Sequence, residues 1–255
     1  MSEDFYIGWE ARAAAGTARR VRAAVAGLLV LTAGLALALA AQQHTIGTSI
    51  FEWGTLKPVT GRLKLDPYPH LLVPRPGATG DQAGCSTYYL VAPFKHGLDR
   101  ERFAGLDGQM VSLQGTLIYR GGETMIEAVT DSIHTAASPG ATPAGPAAVN
   151  LGRQTLTGEI VDSKCYFGVM NPGELLPHRA CAINCIRGGI PPVLLVRQQA
   201  GPAIYMLLVS ATGKPVNQQV LDLVAERVQI TGDVEWQDGL LILRSDPATY
   251  QRVGK

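Results

Sequence analysis

Residues 227–244 read RVQITGDVEWQDGLLILR, and this stretch decides the fold. Val228, Ile230, Gly232, Val234 and Trp236 alternate with Gln229, Thr231, Asp233, Glu235 and Gln237, the period of a strand with one dry face. Asp238-Gly239 supplies a tight hairpin turn, and Leu240–Leu243 pairs back. Residues 110–127, MVSLQGTLIYRGGETMIE, repeat the pattern. There Val111, Leu113, Gly115, Leu117 and Tyr119 share a face, Gly121-Gly122 turns, and Met125–Val129 returns. Leu90–Glu127 can be laid on Leu207–Arg244 without a gap at an offset of 117, which puts Gly115 on Gly232, Tyr119 on Trp236 and Gly122 on Gly239. Upstream, Thr60-Gly61-Arg62-Leu63 resembles Thr157-Gly158-Glu159-Ile160. The chain therefore reads as an internal duplication.

Ahead of each hairpin stands a short helix candidate, Arg100–Leu106 or Asn217–Ala225, and ahead of that an apolar strand, Tyr88–Val91 or Ile204–Val209. Three strands, a helix and two strands is the layout of the OB fold, a five-stranded Greek-key barrel. Glycines in mid-strand suit the strong bend that closes a small barrel. A β-sandwich has the same strand count, but the helix between the third and fourth strands favours the barrel. The expected fold is all-β: two tandem OB-like five-stranded barrels, at 55–134 and 151–255, after a single N-terminal transmembrane helix. Residues 135–150, TAASPGATPAGPAAVN, carry no charge and no periodicity and read as a linker.

The membrane segment is Ala23–Ala41, nineteen residues without a charge or a strong polar group. At 1.5 Å per residue it spans about 28 Å, close to the hydrocarbon thickness of a bilayer. Arg12, Arg19, Arg20 and Arg22 precede it, and the next basic residue is Lys57. The positive-inside bias places residues 1–22 in the cytoplasm and the remainder on the periplasmic side of a bacterial inner membrane. A cleaved signal peptide is the alternative, with Ala38-Leu39-Ala40 as its site. The 22 residues ahead of the apolar run, with Glu3, Asp4, Glu10 and an aromatic group (Phe5, Tyr6, Trp9), favour an anchor.

Lys and Arg number 22 against 21 Asp and Glu, and aromatic residues are 6%. That balance argues against a nucleic-acid groove, which needs basic residues and stacking aromatics. Charged residues at 17% and hydrophobic ones at 46% exclude wholesale disorder. There is no Walker A loop, dinucleotide fingerprint, G-x-S-x-G elbow or C-x-x-C pair.

The chemistry lies where the copies differ. From Thr157-Gly158 to Leu207 the second copy carries about twenty residues more than the first, and they hold Cys165, His178, Cys181 and Cys185 at a spacing of C-x12-H-x2-C-x3-C. Pro177 and Gly188-Gly189 bracket a helix over His178–Arg187, which puts His178, Cys181 and Cys185 on one face. Cys165, just past the first strand, is within reach of that face. Three thiols and an imidazole make a set that holds Zn tetrahedrally, and soft thiolates also suit Cu(I). Met170 offers a thioether; Asp162 and Lys164 are candidates to orient or charge-balance the thiolates. Disulfides are the competing reading in an oxidising compartment, because Cys85 makes the count even. A third is a reactive thiol, Cys181, at a helix start. His70 and His96 are more often structural than ligating.

Residues from about Thr157 to Arg244 resemble a family of small exported bacterial proteins with a barrel-like domain. Its motif runs G-x-[IV]-x-D-x-x-C, then a loop, then H-x-x-C-A-x-x-C-[IL]-x-x-G-[IL]-P. The matching residues are Gly158, Asp162, Cys165, His178, Cys181, Ala182, Cys185, Gly189, Ile190 and Pro191. The resemblance implies a shared Cys/His site and no particular reaction. The first copy lacks the motif, which assigns it a supporting or partner-binding role. In architecture the chain is also similar to the membrane-anchored OB-fold haem chaperone of cytochrome c maturation. That protein's His-x-x-x-Tyr motif is missing after His44, His70, His96, His134 and His178, so haem binding is not implied. The expected function is a membrane-anchored, non-enzymatic Zn- or Cu-binding accessory, assembly factor or redox-complex subunit with a membrane-protein partner. The alternatives are a thiol oxidoreductase and a disulfide-stapled interaction module.

Overall fold

The computed structural model describes residues 13–43, 49–75, 84–137, 147–198 and 201–254. The aromatic group at residues 5–9, His44 and the middle of the linker lie outside the described residues. Met1–Gly47 and Thr48–Lys255 form two separate compact units.

The first unit holds helix α1, Ala15–Gln43. It begins eight residues before the expected Ala23 and includes Arg19, Arg20 and Arg22. Arg and Ala are both strong helix formers, so the charged turn continues the apolar one. The most apolar 18-residue window of Ala15–Ala41 has a mean hydropathy of 2.3, and none of it is buried. The helix is long and apolar enough to cross a membrane, as an anchor or as a signal sequence.

The second unit is two closed five-stranded barrels. The first is built from β1 (Ser49–Phe51), β2 (Lys57–Lys64), β3 (His70–Pro74), β4 (Cys85–Val91), β5 (Met110–Arg120), β6 (Glu123–Ala128) and β7 (His134–Thr135). The sheet runs β5-β2-β3-β4-β6 and closes through β5–β6, while β1 and β7 extend β5. The second uses β8 (Val149–Asp162), β9 (Pro192–Val196), β10 (Ile204–Val209), β11 (Arg227–Gln237), β12 (Leu240–Arg244) and β13 (Gln251–Arg252). Its order β11-β8-β9-β10-β12, closed through β11–β12, is the same. In both barrels the third and fifth strands pair in parallel, β4 with β6 and β10 with β12. The mid-strand glycines sit where the bent strand meets its closing partner. A Cβ on Gly115 would lie 2.3 Å from Ile126 Cγ2, and one on Gly232 2.3 Å from the Arg244 carbonyl oxygen.

Register corrects the gapless alignment. The β5–β6 and β11–β12 hairpins keep the offset of 117, with Thr116 opposite Glu127 and Asp233 opposite Arg244. In the parallel pairs Tyr89 faces Met125 while Leu207 faces Ile242, so β10 is offset by 118. Leu90 therefore corresponds to Leu208, not Leu207, and both point into their barrels. A slip of one residue exchanges the two faces of a strand, which makes the distinction consequential.

The two expected helices are each a single 3-10 turn, Ala104–Leu106 and Leu221–Leu223. A segment of seven to nine residues does not offset the cost of helix nucleation. Side chains also claim the backbone there: Asp99 accepts the Glu101 and Arg102 N–H groups, and Ala225 takes a φ of 60°.

Three apolar cores hold the unit together. Leu63, Leu90, Val111, Leu113 and Ile126 fill the first barrel; Ile160, Leu194, Leu208, Val228 and Ile230 fill the second. The third core lies between the barrels. It joins Tyr89, Val91, Ile118 and Met125 to Val193, Leu207, Val209 and Ile242, with Cys165, Tyr166, Phe167 and Cys185 from the insertion. This seam explains why Ile118, outside the expected dry face of β5, is fully buried. The opposite happens at Trp236, which is 37% exposed on the rim, while half-buried Tyr119 donates to Glu52 Oε1 at 3.1 Å.

Candidate metal centre

The strand-to-strand connection that spans only residues 65–69 in the first barrel spans 163–191 in the second, between β8 and β9. It opens with one wide turn, Cys165–Val169, and ends in helix α2, Arg179–Arg187, after a 3-10 turn at Leu176–His178 that contains Pro177. The helix stops as its sequence requires. Gly188 N–H donates to Asn184 O, Ile190 N–H to Cys185 O, and Gly189 takes a φ of 103° that favours glycine.

The two arms of the insertion bring the cysteines together. Cys165 Sγ and Cys185 Sγ are 4.0 Å apart, both buried. That is about twice a disulfide bond length but close to the roughly 3.8 Å edge of a tetrahedron with metal–sulfur bonds near 2.3 Å. The ligand atoms of Cys165, His178 and Cys181 lie within 4.8 Å of one another, and so do those of Asp162, Cys165 and Cys185. The expected four-residue set thus appears as two overlapping triads that share Cys165, with Asp162 added. Either grouping can hold a metal ion. Met170 is solvent-exposed and belongs to neither. Cys85 is in the first strand position of β4, outside both groups, and no disulfide is formed among the described residues.

Asp162 organises the centre from full burial. Its Oδ1 accepts the Cys165 backbone N–H at 2.8 Å, and its Oδ2 pairs with His178 Nε2 at 2.9 Å. A carboxylate bonded to one ring nitrogen fixes the imidazole tautomer and leaves the other nitrogen, Nδ1 in His178, as the one available to an ion.

The first barrel also reaches the thiols. Lys95, in the loop after β4, places its Nζ 2.8 Å from Cys181 Sγ and 3.9 Å from Cys185 Sγ. The loop is clamped in that position. Gly97 N–H donates to Gly188 O at 2.9 Å, and a Cβ on Gly188 would lie 2.0 Å from the Lys95 carbonyl oxygen. Lys164 does not face the thiols. Its buried ammonium pairs with Glu127 and donates to Ala92 O at 3.1 Å and Phe94 O at 2.5 Å, pinning the Lys95 loop from beneath. Asn217 fastens the far end of α2, donating to Ile186 O and Ile190 O while accepting from Tyr68 Oη.

These contacts polarise the thiols. The hydrogen bond between Cys165 and Cys185, then burial and the Asp162 charge, push Cys165 far above the usual thiol range. The same bond, helped by Lys95 and opposed by burial, draws Cys185 below it. Lys95 is raised, chiefly by its contact with Cys181.

His70 is fully buried between the barrels, its Nδ1 2.8 Å from Tyr68 O and its Nε2 3.7 Å from Asp238 Oδ2. It is structural. Lys95 is the residue that sequence reading missed. It is 86 positions from Cys181, and nothing in its own neighbourhood marks it.

No family model and no curated protein matches the chain. Among solved structures it is similar to a crystal structure of a deletion mutant of the single-stranded DNA binding protein from Thermus aquaticus, at 13% identity, covering 81% of this chain and 96% of that one, with a TM-score of 0.24.

Proposed function

We propose that this protein is a membrane-anchored metal-binding accessory, without enzymatic activity of its own, that holds Zn or Cu on the periplasmic side of a bacterial inner membrane. Cys165, His178, Cys181 and Cys185 are its ligands, and Asp162 orients His178. It serves as an assembly factor or a subunit of a membrane redox complex, with a membrane-protein partner. The observation that carries this reading is the approach of Cys165, on one arm of the insertion, to Cys185, His178 and Cys181 on the other. Within each triad the ligand atoms are close enough to share one ion, and Cys165 and Cys185 are too far apart for a bond between their sulfurs. The likeness to small exported proteins with the same Cys/His motif supports a shared site. The arginines before the apolar helix support the orientation.

The test is metal analysis of the full chain, purified reduced in detergent. Wild type is expected to hold about one equivalent of Zn or Cu, and Cys181→Ser much less. Less than about a tenth of an equivalent in wild type sinks the reading.

A second reading has one observation in its favour. Cys181 is half-buried, lies at the start of α2 and touches the Lys95 ammonium, the surroundings of a reactive thiol. Alkylation of Cys181 well ahead of the other cysteines in metal-free protein supports a thiol oxidoreductase.

A further inference from the structure

Lys95 is an unusual neighbour for a cation site, since an ammonium repels the ion that the thiolates attract. Its position is nevertheless built. Lys164, paired with Glu127, holds the carbonyls on either side of Pro93, Gly97 is bonded to Gly188, and Gly188 leaves room for the Lys95 backbone. We infer that Lys95, carried by the first barrel against Cys181 and Cys185 of the second, selects the charge of the bound ion and favours monovalent Cu(I) over divalent Zn. This rests on the metal-binding reading and narrows it.

The sign does not depend on how many thiols hold a proton before the metal arrives. Zn and Cu(I) on the same ligands differ by one positive charge, and Lys95 repels that extra charge. With Nζ 2.8 Å from Cys181 Sγ and metal–sulfur bonds of about 2.3 Å, an ion on that sulfur lies within about 5 Å of the ammonium. At such a distance an additional unit charge is worth about tenfold in relative affinity, after allowance for the solvent exposure of Lys95. The insertion alone supplies soft sulfur ligands that suit either ion; the first barrel tilts the choice. This gives the barrel without the Cys/His motif a defined part in the centre.

The experiment measures Cu(I) and Zn affinities by chelator competition on the full chain in detergent, under reducing anaerobic conditions. Wild type, Lys95→Gln and Lys95→Arg are compared. The ratio of Cu(I) to Zn affinity is expected to fall about tenfold or more in Lys95→Gln and to stay near wild type in Lys95→Arg, which keeps the charge. A residue that merely supported the fold would lower both affinities together and leave the ratio alone. An unchanged ratio in Lys95→Gln overturns the inference while leaving metal binding intact, and so does a wild type that takes Zn but no Cu(I). A wild type that takes neither ion overturns the function proposed above and this inference with it.

Discussion

The two barrels share strand order, hairpin register and matched bent glycines, yet they have different work. In the first, the turn between β2 and β3 is tight and Leu65 follows the strand; in the second, Asp162 stands at the equivalent place and opens the Cys/His insertion. Both use the same outer face against each other. Tyr89, Val91 and Met125 on one side correspond to Leu207, Val209 and Ile242 on the other. One scaffold thus supports a loop that carries the Cys/His cluster and a loop that carries a cation, and a shared apolar seam sets their distance. The difference teaches that the site belongs to the pair of barrels, although every thiol in it comes from one.

If the seam is a core equal to the barrel interiors, Phe167→Ala should cost about 3–5 kcal/mol, as much as Phe103→Ala inside the first barrel. Phe167 is fully buried, with its ring edge-on to Tyr89 at 5.4 Å and to Tyr205 at 5.1 Å. Urea unfolding of the full chain measures both, and a seam variant costing under about 1 kcal/mol would break the equivalence. Lys164→Met tests the polar pin of the same seam. It strands Glu127 beside an apolar side chain and should cost about 3 kcal/mol, most of it recovered by adding Glu127→Gln. Equal losses in the single and double variants would show that the ion pair itself matters little.

Asp162→Asn sharpens the contrast with Leu65. Metal affinity is expected to fall about 10- to 100-fold, because the imidazole loses a charged partner while the Cys165 N–H keeps an acceptor. Chelator competition reads this directly. The smallest effect concerns Glu123, whose counterpart across the duplicated hairpin is Leu240, a member of the seam. Burial raises the Glu123 carboxyl from 4.5 to about 7. The folded state then binds its proton more tightly than the unfolded chain, so this contribution is greatest below about pH 4.5 and is lost as pH rises toward 7. Glu123→Leu should flatten the stability profile across that window by about 1–2 kcal/mol. Parallel profiles for variant and wild type would remove Glu123 from the comparison.

Much of this was legible in the residues. The alternation in 228–234 gave β11, Asp238-Gly239 gave its turn, and Pro177 and Gly188-Gly189 bracketed a helix that carries Cys181 and Cys185, with His178 in the 3-10 turn just before it. The seam had a signal that the alternation obscured. The unbroken apolar runs at Val193–Val196 and Met206–Val209 belong to strands covered on both sides. Their partner surface was not legible, because an apolar run states that a face is covered without stating by what.

Local spacing determined the strands, the apolar helix, the bent glycines and the short helix that carries Cys181 and Cys185, since strand and helix periods convert sequence separation into direction. Tertiary structure alone decided that Asp162 turns inward to hold His178, that Lys164 turns away from the thiols it precedes, and that Lys95 meets Cys181 from the other barrel. Those contacts depend on which outer faces pack together. That choice is made by shape and burial over the whole seam, among residues whose separation along the chain carries no period to read.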